Sequence, residues 1–97
     1  MATIEFTREA DRDLIEIYLH GVAHFGPAQA ERYLNALNAK LERAAEHPDF
    51  GTDYGFVMGG LRRYEATSHA IYYRATPSGI LVLRVLHGRM DAGRHLG

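Results

Sequence analysis

The sequence predicts an α+β domain: an amino-terminal strand, a helical hairpin packed on a small antiparallel sheet, and a short carboxy-terminal tail or helical turn, in the order β-α-α-β-β-β. Three observations carry this. Apolar residues recur at helical spacing over two long stretches before Pro48. Three runs rich in β-branched and aromatic residues follow Gly60, separated by turn residues. A chain of 97 residues supports one modest core, so residues 1–97 form a single domain.

Ala2 to Thr7 alternates, with Ile4 and Phe6 on one face and Thr3 and Glu5 on the other, which predicts a short edge strand. Thr7 suits a helix N-cap, and Glu9, Asp11 and Asp13 crowd the first turns, where the helix dipole favours anions. Ala10, Leu14, Ile17, Tyr18 and Phe25 form the apolar stripe of the first helix. Gly26-Pro27 ends it, and Pro27 suits the first position of the next helix. Ala30, Tyr33, Leu34, Leu37, Leu41 and Ala44 give the second helix its stripe, which stops near Glu46-His47-Pro48. So short a link makes the two helices antiparallel.

Pro48 to Gly60 predicts a loop whose Phe50, Tyr54, Phe56, Val57 and Met58 tuck against the helices. Leu61–Ala66, His69–Ala75 and Ile80–His87 then form an antiparallel meander through turns at Thr67-Ser68 and Thr76-Pro77-Ser78-Gly79. Ile80 to Leu86 is a near-continuous apolar run, the mark of a central strand buried on both faces. It exits at Gly88 into a charged tail, Arg89 to Leu96, expected to be dispensable for the fold.

Composition narrows the function. There is no cysteine, so neither a disulfide nor a thiolate metal site is expected. No apolar run approaches the roughly 18 residues of a membrane span. The amino terminus lacks the pattern of a signal peptide, so the expected location is the cytoplasm, without membrane association. The net charge of −1 hides an asymmetry: Met1–Gly55 carries 5 Lys/Arg against 10 Asp/Glu, and Phe56–Gly97 carries 6 Arg against 2 acids. This is either a solvated helical face beside ordinary strand arginines, or a basic surface for an acidic partner.

No serine-nucleophile elbow, phosphate-cradling glycine loop or His-Glu-x-x-His motif is present. His20 and His24 lie one helical turn apart but lack an evident third ligand, so neither a metal nor any other cofactor is expected. Tyr72 and Tyr73 must point to opposite faces of their strand, one toward the core and one free to be exposed. Arg62, His69, His87 and Arg89 are the candidates if the chain cleaves RNA, but no carboxylate dyad accompanies them.

The combination of Thr7 to Tyr18, Leu61-Arg62-Arg63-Tyr64, Ile71-Tyr72-Tyr73-Arg74 and Val85-Leu86-His87-Gly88-Arg89-Met90-Asp91 resembles the RelE/ParE superfamily of bacterial toxins, and its ParE branch more closely. The resemblance implies a type II toxin neutralised by a ParD-like antitoxin, acting by inhibition of DNA gyrase and not by sequence-specific DNA binding of its own. The alternatives are a ribosome-dependent mRNA endonuclease, like the RelE branch, or a non-toxic interaction module. Ribonuclease relatives place an Arg just after the last strand and a Tyr near the end; by ungapped matching these positions fall on Met90 and Leu96, and His69 stands at another Arg position. A shift of one residue would put Arg89 in the first role.

Two surfaces are therefore expected. Arg62, Arg63, Arg74 and Arg84 would pair with an acidic antitoxin segment that folds on binding, with Leu14, Tyr18 and Leu37 bordering an apolar groove. His87, Arg89, Met90, Arg94 and His95 would meet the cellular target.

Overall fold

The computed structural model describes residues 2–96. The elements are β1 (Thr3–Phe6), α1 (Arg8–Phe25), α2 (Pro27–Glu46), a single 3-10 turn (Pro48–Phe50), β2 (Thr52–Asp53), β3 (Arg62–Ala66), β4 (His69–Thr76), β5 (Gly79–His87) and α3 (Ala92–Leu96). The α+β class, the hairpin, the meander and the closing helical turn all stand as read from the sequence. Two features of the loop after Pro48 were not legible: the 3-10 turn, and β2, which pairs with β3 through Thr52 and Asp53.

Strand order is β1-β5-β4-β3-β2. The meander is antiparallel, but β1 lies at the edge parallel to β5, with Thr3 opposite Gly79 and Phe6 opposite Val82. The sheet is therefore mixed. Parallel neighbours require a long crossover, and the chain between β1 and β5 supplies it. The close approach explains Gly79, which the sequence reads only as a turn residue: a Cβ there would collide with the Thr3 backbone.

Thr7 joins the sheet to the hairpin. Its hydroxyl accepts from the Ala10 N–H at 3.1 Å, capping α1, and donates to the Leu83 carbonyl at 2.7 Å. The helices meet at Gly26, whose φ of 88° lies where an L side chain is strained. Ala10, Leu37, Leu41 and Ala44 then pack on Ile71, Tyr73, Ile80, Val82 and Val85. Between Tyr72 and Tyr73 the register shifts, so that Tyr72 faces Arg84 while Tyr73 faces Val82. This bulge places Val82 and Val85, three residues apart, in the same core cluster.

The opposite face of the sheet is covered as well. Leu61, Ala70, Tyr72, Leu86 and Ala92 cluster there, with Tyr54, Val57, Met58, Leu83 and Leu96 packed around them. This corrects three expectations. The loop residues Tyr54, Val57 and Met58 pack beneath the sheet, away from the helices, and Phe50 and Phe56 are exposed. Tyr72 and Tyr73 do point opposite ways, yet both are buried, because each face has a cover. The tail is not a free appendage, since Ala92 and Leu96 close this second cluster. A fourth correction falls on α1, where Phe25 is exposed and does not continue the core stripe.

Candidate functional site

The arginines expected to pair with an acidic antitoxin segment are mostly committed within the chain. Arg84 makes a two-pronged ion pair with Asp13 of α1, Nε to Oδ2 at 2.8 Å and Nη2 to Oδ1 at 2.9 Å. The same Oδ2 accepts the Val85 N–H at 2.9 Å, so Asp13 completes the edge of β5 where β1 has ended. The hydrogen bond to Asp13 is the main reason the guanidinium holds its proton above the ordinary arginine range. Arg84 also donates to the His95 carbonyl, fastening α3 to β5.

Arg62 and Arg63 leave β3 on opposite faces, as strand parity requires. Arg62 donates to the Gly51 carbonyl at 2.7 Å and the Asp49 carbonyl at 3.3 Å, which fixes the 3-10 turn. Arg63 donates to Glu65 at 2.8 Å and to the Tyr72 hydroxyl at 3.1 Å, and its guanidinium lies 5.9 Å from the ring centres of both Tyr54 and Tyr72. Arg74 is exposed and makes no ion pair among the described residues. Of the four, it is the side chain free to meet an external acid.

The apolar set divides likewise. Leu37 is 2% exposed and belongs to the core beneath α2, so it cannot border a surface groove. Leu14 and Tyr18 are half-buried. Ile15 and Leu19, one helical turn apart, are each 58% exposed, and Phe25 is 68% exposed. Sequence reasoning passed over Ile15 and Leu19 because they fall outside the core stripe; two large apolar residues at i and i+4 on the outer helix face were the available signal.

In the tail, Arg89, Met90, Arg94 and His95 are all exposed. Met90, with Asp91 and Gly88, lines an open concavity of about 450 Å³ shared with Tyr54, Phe56, Arg63 and Tyr72. Phe56, 81% exposed, is its most prominent apolar side chain and was not anticipated. His87 departs from this group. It pairs in register with His69, their ring centres 5.7 Å apart, and both line a different concavity, at the helix side. Arg62 sits at the other end of β3, opposite Tyr73. The four ribonuclease candidates are therefore dispersed: a histidine pair, an arginine holding a loop, and Arg89 on the tail.

Among the described residues no group of three His, Cys, Asp or Glu is placed to hold a metal ion, and no helix is long and apolar enough to cross a membrane. The fold and its surfaces define a small α+β domain: a helical hairpin with exposed apolar residues on one side, and a loop-and-tail surface on the other.

Comparison with known proteins gives the family. Residues 4–92 match the model for the "ParE toxin of type II toxin-antitoxin system, parDE". The chain is 35% identical to Toxin ParE1 of Caulobacter vibrioides over 97 residues, covering 100% of both chains. It is 40% identical to Toxin ParE1 of Mycobacterium tuberculosis over 88 residues, 90% of each. Among solved structures it resembles a chain of the "Chromosomal ParDE TA system from P. aeruginosa", with a TM-score of 0.74 and 22% identity, covering 90% of this chain and 96% of that one. The chain belongs to the ParE toxin family of type II toxin–antitoxin systems.

Proposed function

We propose that this toxin is held inactive by a ParD-like antitoxin and acts in the cytoplasm by binding and inhibiting DNA gyrase. The observation that carries a binding role is the dispersal of the ribonuclease candidates. Acid–base cleavage of RNA needs its base, acid and cations around one phosphate, whereas His69 and His87 lie together at the helix side, Arg62 holds the 3-10 turn, and Arg89 stands on the tail. By ungapped matching, Met90 and Leu96 fall where ribonuclease relatives carry reactive groups, and neither side chain transfers a proton; a shift of one residue would put Arg89 in the first of these places.

In this reading the target meets Phe56, Met90 and the exposed tail residues Arg89, Arg94 and His95. An exposed aromatic and a Met rimmed by arginines is the composition of an interface centre. The antitoxin covers Ile15 and Leu19 on α1, an i, i+4 pair fit for an amphipathic segment, with Arg74 offering a charge near the end of the central strand β4.

The test is supercoiling by purified gyrase of the source organism, with the folded toxin in excess. Loss of supercoiling, or accumulation of the cleavage complex, is expected. Phe56→Ser with Met90→Ser should abolish it and shift stability by no more than about 0.5 kcal/mol, since both side chains are exposed. Unchanged supercoiling together with no stabilised cleavage complex removes gyrase as the target. Ordinary growth on induction without the antitoxin would instead favour a non-toxic module.

A further inference from the structure

One concavity is used by neither of these surfaces. It has a volume of about 400 Å³ and lies between α1, α2 and the β3–β4 turn. Ile17, Gly21 and Ala30 give it an apolar floor, while His20, His69 and His87 converge from α1, β4 and β5. No carboxylate, lysine or arginine lines it.

The three histidines do not form a metal site, since no group of three such ligands is suitably placed among the described residues. Each ring is nonetheless positioned. The Tyr33 hydroxyl lies 2.5 Å from His69 Nδ1 and also donates to the Ala66 carbonyl at 3.3 Å, which orients the His69 ring. His87 Nδ1 faces the Arg89 N–H at 3.4 Å. His20 stacks on His24, with ring centres 4.0 Å apart.

The charges around His69 are unbalanced. Its protonation is disfavoured by burial first, then by His87 and His20, while Asp13 on α1 opposes this only weakly. From α2 it faces the uncharged Tyr33, and His24 adds a further imidazole behind His20. Three imidazoles thus face one space with no anion among them.

We propose that this cavity binds a carboxylate carried on an apolar stem, held by the three imidazoles above the apolar floor. Phosphate fits worse: it is strongly hydrated and is ordinarily held by arginine, lysine or clustered backbone N–H groups, whereas this floor is apolar. A carboxylate in the cavity offsets the repulsion among the imidazoles, so binding takes up a proton and tightens as pH falls. This proposal is independent of the gyrase reading.

The histidine Cε1–H resonances of the full chain test it, with 4-phenylbutyrate as probe and 4-phenylbutanamide and inorganic phosphate as controls. The carboxylate should shift the resonances of His20, His69 and His87 saturably, with affinity rising about tenfold between pH 7.5 and 6.0 for roughly one proton taken up. The amide and phosphate should bind at least tenfold more weakly at pH 6.0. His20→Gln, at an exposed helix position that does not endanger the fold, should weaken the carboxylate at least threefold. Equal binding of acid and amide, affinity independent of pH, or shifts that spare these rings would overturn the proposal. Repeating the titration on the toxin–antitoxin complex identifies the natural source of the group. Loss of probe binding assigns the cavity to an acidic side chain of that partner, and retained binding assigns it to a free carboxylic acid; either result supports the carboxylate chemistry.

Discussion

On one face of the sheet, Leu37, Leu41 and Ala44 of a 20-residue helix pack on Ile71, Tyr73 and Val82. On the other, Tyr72 and Leu86 lie under a short loop and the five residues of α3. The helical cover is continuous, and side chains at i, i+3 and i+4 reach into the sheet along its length. The second cover is thin. It closes a smaller cluster and leaves Phe56 and Met90 in solvent. The helix-covered face therefore bears most of the stability, and the thinly covered face pairs a modest structural role with an apolar surface available to a partner.

Leu41→Ala against Leu96→Ala is the strongest probe of that division. Leu41 is 1% exposed and central to the helix-side core, so its truncation should cost about 2–5 kcal/mol in urea unfolding. Leu96 is half-buried on the thin cover, and its truncation should cost about 1 kcal/mol. Similar losses at the two sites would mean the covers contribute alike. Deletion of the chain after Gly88 fits the same scheme: it uncovers Leu61, Tyr72 and Leu86, so the tail cannot be removed at no cost to the fold.

The next effect in size tests a polar link within the helix-side core. Tyr73 is fully buried, and its hydroxyl donates to the Pro48 carbonyl at 2.6 Å and accepts the Gly51 N–H at 3.0 Å. Burial is the main reason the phenol keeps its proton above the usual range. Tyr73→Phe leaves both backbone groups without this partner and should cost about 1–3 kcal/mol. Hydrogen exchange should quicken first at Gly51. Uniform loosening across the whole chain would show instead that the hydroxyl acts on the core and not on the turn after α2.

Residues that repeat with a period were legible in sequence, and residues defined by long-range partners were not. The stripe through Leu37, Leu41 and Ala44 announces its own burial, and strand parity correctly separates Tyr72 from Tyr73. Whether Tyr72 is exposed depends on what covers the second face, and that cover comes from Tyr54–Met58 and Ala92–Leu96, segments without periodicity. The parallel pairing of β1 hangs on Gly79, which looks locally like any turn glycine. The arginines show the same limit: the sequence allows Arg84 either an external acid or a helix carboxylate, and only the fold singles out Asp13 of α1, 71 residues away in the chain. On the proposed surfaces, the exposure of Met90 and the charged tail could be foreseen, while that of Phe56, Ile15 and Leu19 emerged only from the fold.

The smallest effect concerns the histidines at the rim of the helix-covered face. His69 protonates less readily in the folded chain than in the unfolded one, because it is half-buried beside His87 and His20. Below the ordinary imidazole value of about 6.5 the unfolded chain then binds more protons than the folded one, so folding weakens as pH falls. The contribution is fully present above that value, declines as pH drops toward the lowered folded value, and changes no further beyond it. Carboxylates elsewhere also lose stability in acid, so the useful quantity is the difference between wild type and His69→Gln, which retains a hydrogen-bonding group for Tyr33. Thermal unfolding from pH 8 to 5 should show the wild type losing more stability than the variant, with the gap opening between pH 7 and 5.5 and smaller than the Tyr73→Phe loss. Parallel curves would mean that His69 feels no net penalty on folding.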